Sequence, residues 1–299
     1  MKMKKMYYLS FLGLLFCANL FAQKVTFEEY DLSNGMHVVL HKDNTAPVVT
    51  TSVMYHVGAK DENPERTGFA HFFEHLLFEG TENIERGEWF KIVSSNGGTN
   101  NANTNQDRTY YYEVFPSNNL ELGLWMESER LLHPIINQIG VDTQNEVVKE
   151  EKRLRVDNSP YGQWNGEVFK SLFVEHPYRW TTIGSLDHLD AASLEEFQAF
   201  NKKYYVPNNA VLVVAGDFET ESTKELIEAY FGSIPRGEDV VRETVVEKPI
   251  SSQIEINYKD PNIQIPAVFT VYRTPAMTTR DARVLDMIST VLSDGKSSR

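Results

Sequence analysis

The chain has 299 residues, 41% hydrophobic and 24% charged, a balance that excludes wholesale disorder and allows one large domain or two of ordinary size. Its formal charge of −13 excludes the basic footprint that nucleic acid requires. A single cysteine, Cys17, excludes a disulfide framework and cysteine-rich metal sites.

Residues 1–22 differ in kind from the rest. Lys2, Lys4 and Lys5 precede an apolar run over residues 6–16, and Ala22 ends a cleavage site before Gln23. The pattern is that of a secretory signal peptide, too short to span a bilayer. It implies export across the inner membrane to the periplasm, with no membrane span left after cleavage. Lipoprotein anchoring through Cys17 would need a small residue where the bulky Phe16 stands, so simple cleavage is the better reading. Loss of the three lysines takes the formal charge from −13 to −16.

Residues 25–57 are strand-like. Val25, Phe27 and Tyr30 lead to a turn at Ser33-Asn34-Gly35, residues 36–41 alternate, and residues 48–57 are rich in β-branched side chains. After a polar loop over residues 61–66 comes the run Thr67-Gly68-Phe69-Ala70-His71-Phe72-Phe73-Glu74-His75-Leu76-Leu77-Phe78. Its apolar residues predict a largely buried helix, on which His71 and His75 lie one turn apart on one face. Two neutral imidazoles held that way form half of a tetrahedral zinc site. Glu74 borders the same face, placed to take a proton from a water bound there rather than to bind the metal. The order His-x-x-Glu-His is the inverted form of the common zinc-peptidase helix. A lone histidine on an apolar face is more often a core residue, and the chain has eight histidines to draw on. Yet two histidines and a glutamate in so apolar a helix cost on the order of several kcal/mol unless partnered. Zinc would partner them.

A second helix is expected over residues 85–95, stopping at Asn96-Gly97-Gly98. Residues 99–115 read as one or two strands, the first polar, and residues 120–132 have helical spacing. A longer helix should run over about residues 141–168, interrupted near Ser159-Pro160. Ser193 and Glu196 form a capping box for a helix to residue 204, and Ser222 with Glu225 suggests another to residue 231. Between them residues 210–215 are a buried strand. Residues 236–246 suit a linker. Strand, strand and helix follow over residues 254–258, 267–272 and 278–292, resembling the opening of the chain. The organisation expected is a signal peptide (1–22), a zinc-binding domain (23–235), a linker (236–246) and the start of a second, truncated homologous domain (247–299).

A peptidase zinc needs a third protein ligand and an open position. His133, His176 and His188 lie in turn-like contexts. In Glu146-Val147-Val148-Lys149-Glu150-Glu151, helical spacing puts Glu151 on the face of Val147, Val148 and Leu154, whereas Glu150 sides with Glu146 and Arg153. An i,i+4 ion pair of Glu151 with Arg155 accounts for it equally well on pattern alone. No Gly-x-Ser-x-Gly elbow is present, and Thr290 occupies the place of the first glycine in a P-loop reading of residues 290–297.

His71-x-x-Glu74-His75, followed 76 positions later by Glu151, resembles the pitrilysin (insulinase) family of zinc peptidases. The likeness runs from about residue 25 to the end of the chain. It includes Gly97-Gly98-Thr99-Asn100-Asn101-Ala102-Asn103-Thr104, Asp107-Arg108-Thr109-Tyr110-Tyr111 and the closing Gly295-Lys296-Ser297-Ser298-Arg299. The resemblance implies zinc on His71, His75 and Glu151, with Glu74 as general base. Gln144 stands where many members carry a second glutamate, and its amide is expected to support a ligand from behind. The implied fold is α+β, a mixed sheet covered by helices and repeated as paired domains that clasp the substrate. The polar strand Thr99, Asn100, Asn101, Ala102, Asn103 matches the edge on which peptides add a β-strand; a protected edge strand would look the same. The function implied is a secreted zinc endopeptidase acting on peptides or unfolded polypeptides, completed by a second homologous half or subunit. The rival is a catalytically silent homologue serving as a binding or scaffold subunit beside an active partner.

Overall fold

The computed structural model describes residues 25–296. The signal-peptide and Cys17 readings, and Ser297, Ser298 and Arg299, lie outside the described residues. Among the described residues six strands form one mixed sheet: β1 (Glu28–Asp31), β2 (His37–Lys42), β3 (Val48–Tyr55), β4 (Thr99–Thr104), β5 (Thr109–Pro116) and β6 (Ala210–Gly216). Their order is β1-β2-β6-β3-β5-β4. Only β2 and β6 run parallel; the other neighbours are antiparallel. β4 pairs with β5 alone and forms one edge of the sheet.

Strict alternation decides which face is covered. Val49, Thr51, Val53 and Tyr55 of β3, and Thr109, Tyr111, Glu113 and Phe115 of β5, are buried on the same side. Helix α1 (Phe69–Leu76) lies on that face, where the Tyr111 hydroxyl donates to the Phe73 carbonyl at 3.1 Å. Helix α2 (Trp89–Ser95) follows, and α3 (Leu120–Leu132) packs against β3 and β5. Gly123 allows this approach, because a Cβ there would stand 2.5 Å from the Thr51 hydroxyl. Arg130 of α3 is fully buried among the rings of Phe78, Trp89 and Tyr111, 4.0–4.5 Å from their centroids. Its guanidinium bonds Glu127 and Glu113 at 3.1 Å each, and the Leu77 carbonyl at 3.0 Å.

The expected long helix over residues 141–168 is two. Helix α4 (Gln138–Lys152) starts with Asn137 accepting from the Gly140 amide at 2.9 Å. It ends in a wide π turn, Arg153–Asp157, and α5 (Trp164–Leu172) follows. Pro160 cannot continue a helix, and Tyr161 takes a left-handed backbone, φ 61°. Helix α6 (Leu186–Asp190) was not foreseen, while α7 (Leu194–Tyr204) carries the expected Ser193–Glu196 box. Helix α8 (Thr220–Phe231) begins earlier than its expected box: Glu219 is its N-cap, and the Ser222 hydroxyl donates to the Glu219 carbonyl.

Residues 254–258 and 267–272 form no regular strand. A strand needs a partner ladder, and this segment is held by other contacts. Phe269 stacks on Trp164 with centroids 4.9 Å apart, and Asp260 and the Ile265 carbonyl accept from Tyr161. Helix α9 (Arg280–Ser293), capped by Thr279, ends the described chain. Residues 236–246 form no regular element, and Arg242 reaches Asp61 and Asn209.

Candidate metal centre

Helix α1 brings His71 and His75 together as their spacing requires, with the two Nε2 atoms 3.4 Å apart. Glu151, near the end of α4, completes the group. Its Oε2 lies 3.1 Å from His75 Nε2 and 3.6 Å from His71 Nε2. Among the described residues this is the one cluster of His, Cys, Asp and Glu able to hold a metal ion. Zinc ligands at about 2.0–2.2 Å in a tetrahedron stand roughly 3.3–3.6 Å from one another. The three observed separations fall close to that triangle, so the donor set fits zinc in size and chemistry.

The electrostatics agree. Burial lowers the His71 pKa to about 4, which keeps the imidazole neutral and its lone pair free near neutrality. Glu151 is held below its ordinary range, first by its hydrogen bond with His75, so it is ionised. Its other oxygen, Oε1, takes Arg155 Nη1 at 2.6 Å. One carboxylate thus faces both the two histidines and Arg155. Glu150 points outward, paired with Arg153 at 3.3 Å. The inward face was only partly foreseen: Val148 is buried, but Val147 and Leu154 are exposed, and contact of α4 with α1 sets the register.

Glu74 sits beside this group. Burial raises its pKa, opposed by the Thr104 hydroxyl, which donates to Glu74 Oε2 at 2.6 Å. Thr104 ends β4, so this bond joins the edge strand to the cluster. Thr99, Asn100, Asn101, Ala102 and Asn103 alternate along that edge, and the Ala102 amide donates to its neighbour Asn101 Oδ1 at 2.9 Å rather than to β5. Gln144 donates to Glu79 at 2.5 Å, tying α4 to the loop after α1. Its Oε1 and His71 Nδ1 are both buried without a hydrogen-bond partner among the described residues. His133, His176 and His188 are engaged elsewhere, with Glu82, the Tyr178 amide and Thr67. Thr104 and Glu62, which accepts from α1 backbone amides, escaped sequence reasoning because nothing local marks their partners.

The insulinase family, peptidase family M16, matches residues 37–170, and its inactive domain matches residues 191–299. Zinc protease PqqE of Helicobacter pylori is 33% identical over 275 residues, covering 91% of this chain and 62% of that protein. A crystal structure of a protease from Helicobacter pylori superposes with TM-score 0.79 at 31% identity, covering 92% of this chain and 67% of that one. The chain belongs to the insulinase family of peptidases. The first half of the periplasmic protease PqqL from Escherichia coli shares the fold, with TM-score 0.69 at 22% identity over 76% of this chain and 50% of that one. The insulinase-family segment 37–170 contains His71, Glu74, His75 and Glu151 together. The chain spans 62% of the length of its PqqE relative.

Proposed function

We propose that this chain is the zinc-binding part of a metalloendopeptidase that cleaves peptides or unfolded polypeptides. The observation that carries the reading is the triangle of His71, His75 and Glu151 with the Glu74 carboxyl beside it. These three side chains would hold zinc. When bound, zinc would polarise the scissile carbonyl and lower the pKa of a water towards about 7. Thr104 fixes Oε2 of Glu74 and leaves Oε1 to accept the proton of the attacking water. Glu74 then returns that proton to the leaving amine. Burial raises the pKa of Glu74 and makes its carboxylate a better base than an exposed one. Gln144, whose Oε1 is buried without a partner among the described residues, would support the ligand set from behind.

The zinc ligation is tested by metal content. The parent should hold one zinc per chain. Glu151→Gln should lose most of it, and Glu150→Gln should keep it. The reverse pattern would move the ligand to the neighbouring residue.

Substrate would add as a strand to the free edge of β4, beside Asn100, Asn101, Ala102 and Asn103. Support comes from the position of β4 at the sheet edge and from its bond to Glu74. Ala102→Pro removes the amide that an added strand would use. The expected result is a raised KM with unchanged circular dichroism; unchanged kinetics in the folded variant would make β4 merely a protected edge.

A second homologous unit, in the same chain or a partner, would close over the substrate, because the matched relatives extend beyond the stretch that this chain covers. The 299-residue chain alone is then expected to bind zinc but cleave poorly, with activity restored by that unit. The signal-peptide pattern and the periplasmic PqqL relative support a periplasmic location. Among the described residues no helix is long and apolar enough to cross a membrane. The rival is a substrate-binding scaffold beside an active partner; the inactive-domain match lies over residues 191–299, outside the segment that carries the candidate site. Chelator-sensitive cleavage by the chain mixed with such a unit, lost when the chain carries Glu74→Gln, separates the two.

A further inference from the structure

Helix α1 has only eight residues, fewer than the roughly 12–15 that an isolated helix needs for marginal stability. Its N-cap is Gly68, φ 98°, which has no side chain to satisfy the first amides. A distant residue takes that role. Glu62 is buried just after the 3₁₀ turn Ala59–Asp61 and accepts from the Gly68 amide on Oε2 at 2.9 Å and from the Ala70 amide on Oε1 at 2.8 Å. His71 is the next residue. At the opposite end the Leu77 carbonyl accepts from buried Arg130. An acidic group at the N-terminus and a guanidinium at the C-terminus both match the helix dipole.

We propose that Glu62 is a positioning residue, whose two-oxygen clamp on the first turn of α1 sets how His71, Glu74 and His75 face Glu151. This rests on the zinc reading of that site. The His71–Glu151 and His75–Glu151 separations depend on the placement of α1 against α4, and a short helix held at both ends cannot slide or fray independently. Both carboxyl oxygens accept, which suits the carboxylate. Burial nevertheless raises the Glu62 pKa to about 8 against the pull of the two amides, so the test is best run at about pH 8.5, where the ionised form predominates.

Glu62→Gln keeps the size and one acceptor but turns an NH2 group towards one of the two amides. Zinc affinity by chelator competition should fall roughly 10–100-fold, the usual loss when a residue supporting metal ligands is removed. Amide hydrogen exchange over residues 71–75 should accelerate while the global unfolding midpoint holds. The visible spectrum of the Co2+-loaded variant should also shift. Parent-like zinc affinity and exchange in the folded variant would overturn the proposal. So would collapse of the whole chain, which would make Glu62 a general folding residue. A parent that takes up no zinc would defeat the zinc reading alone, because the exchange rates still report on the clamp.

Discussion

Glu74→Gln should retain zinc and lose peptide cleavage by roughly 10²–10⁴-fold in kcat, the span of a general base. The amide nearly matches the carboxylate in shape and can still accept from the Thr104 hydroxyl, so the end of β4 should stay docked. What it cannot do is take a proton at the second oxygen. Zinc should remain because Glu74 lies outside the triangle of His71, His75 and Glu151. Metal analysis and turnover of the variant, measured on the chain with whatever unit restores activity, check both halves. Loss of zinc would make Glu74 a structural residue, and near-parent turnover would remove it from the reaction.

Arg130→Met should destabilise the fold by about 3–5 kcal/mol, the usual cost of removing one member of a buried ion pair. Arg130, Glu127 and Glu113 are all fully buried. The substitution also removes the donor to Leu77 and the cation from among Phe78, Trp89 and Tyr111. Burial, followed by the nearby Glu127, pushes the Glu113 pKa well above the ordinary carboxyl range. The shift favours the protonated form of Glu113. It follows that Glu113→Gln should cost under about 1 kcal/mol, because its amide oxygen can still accept from Arg130. Denaturant unfolding of both variants tests this; a severe loss on Glu113→Gln would mean that Arg130 needs a charged Glu113.

The elements most legible in the sequence were those governed by local rules. The strands expected within residues 25–57 and 99–115 are present, as is the capped helix at Ser193. Local rules overreached where a partner was needed. Residues 254–258 and 267–272 have strand composition but no ladder; Phe269 stacks on Trp164, while Ile254, Tyr258, Val268 and Tyr272 are exposed. At α8 a Ser–Glu spacing mimicked a capping box one turn inside the real start.

The sequence by itself determined that His71 and His75 share one helical face with Glu74 at its border, because helical periodicity is a property of consecutive residues. Only the tertiary structure decided how Glu151 divides its two oxygens between the histidines and Arg155, since that depends on how α4 lies against α1. The same holds for Thr104 on Glu74, 30 residues away, and for Glu62 on the first turn of α1. Such contacts arise from the packing of separate elements, and a hydrogen bond formed between them leaves no periodic trace in either segment.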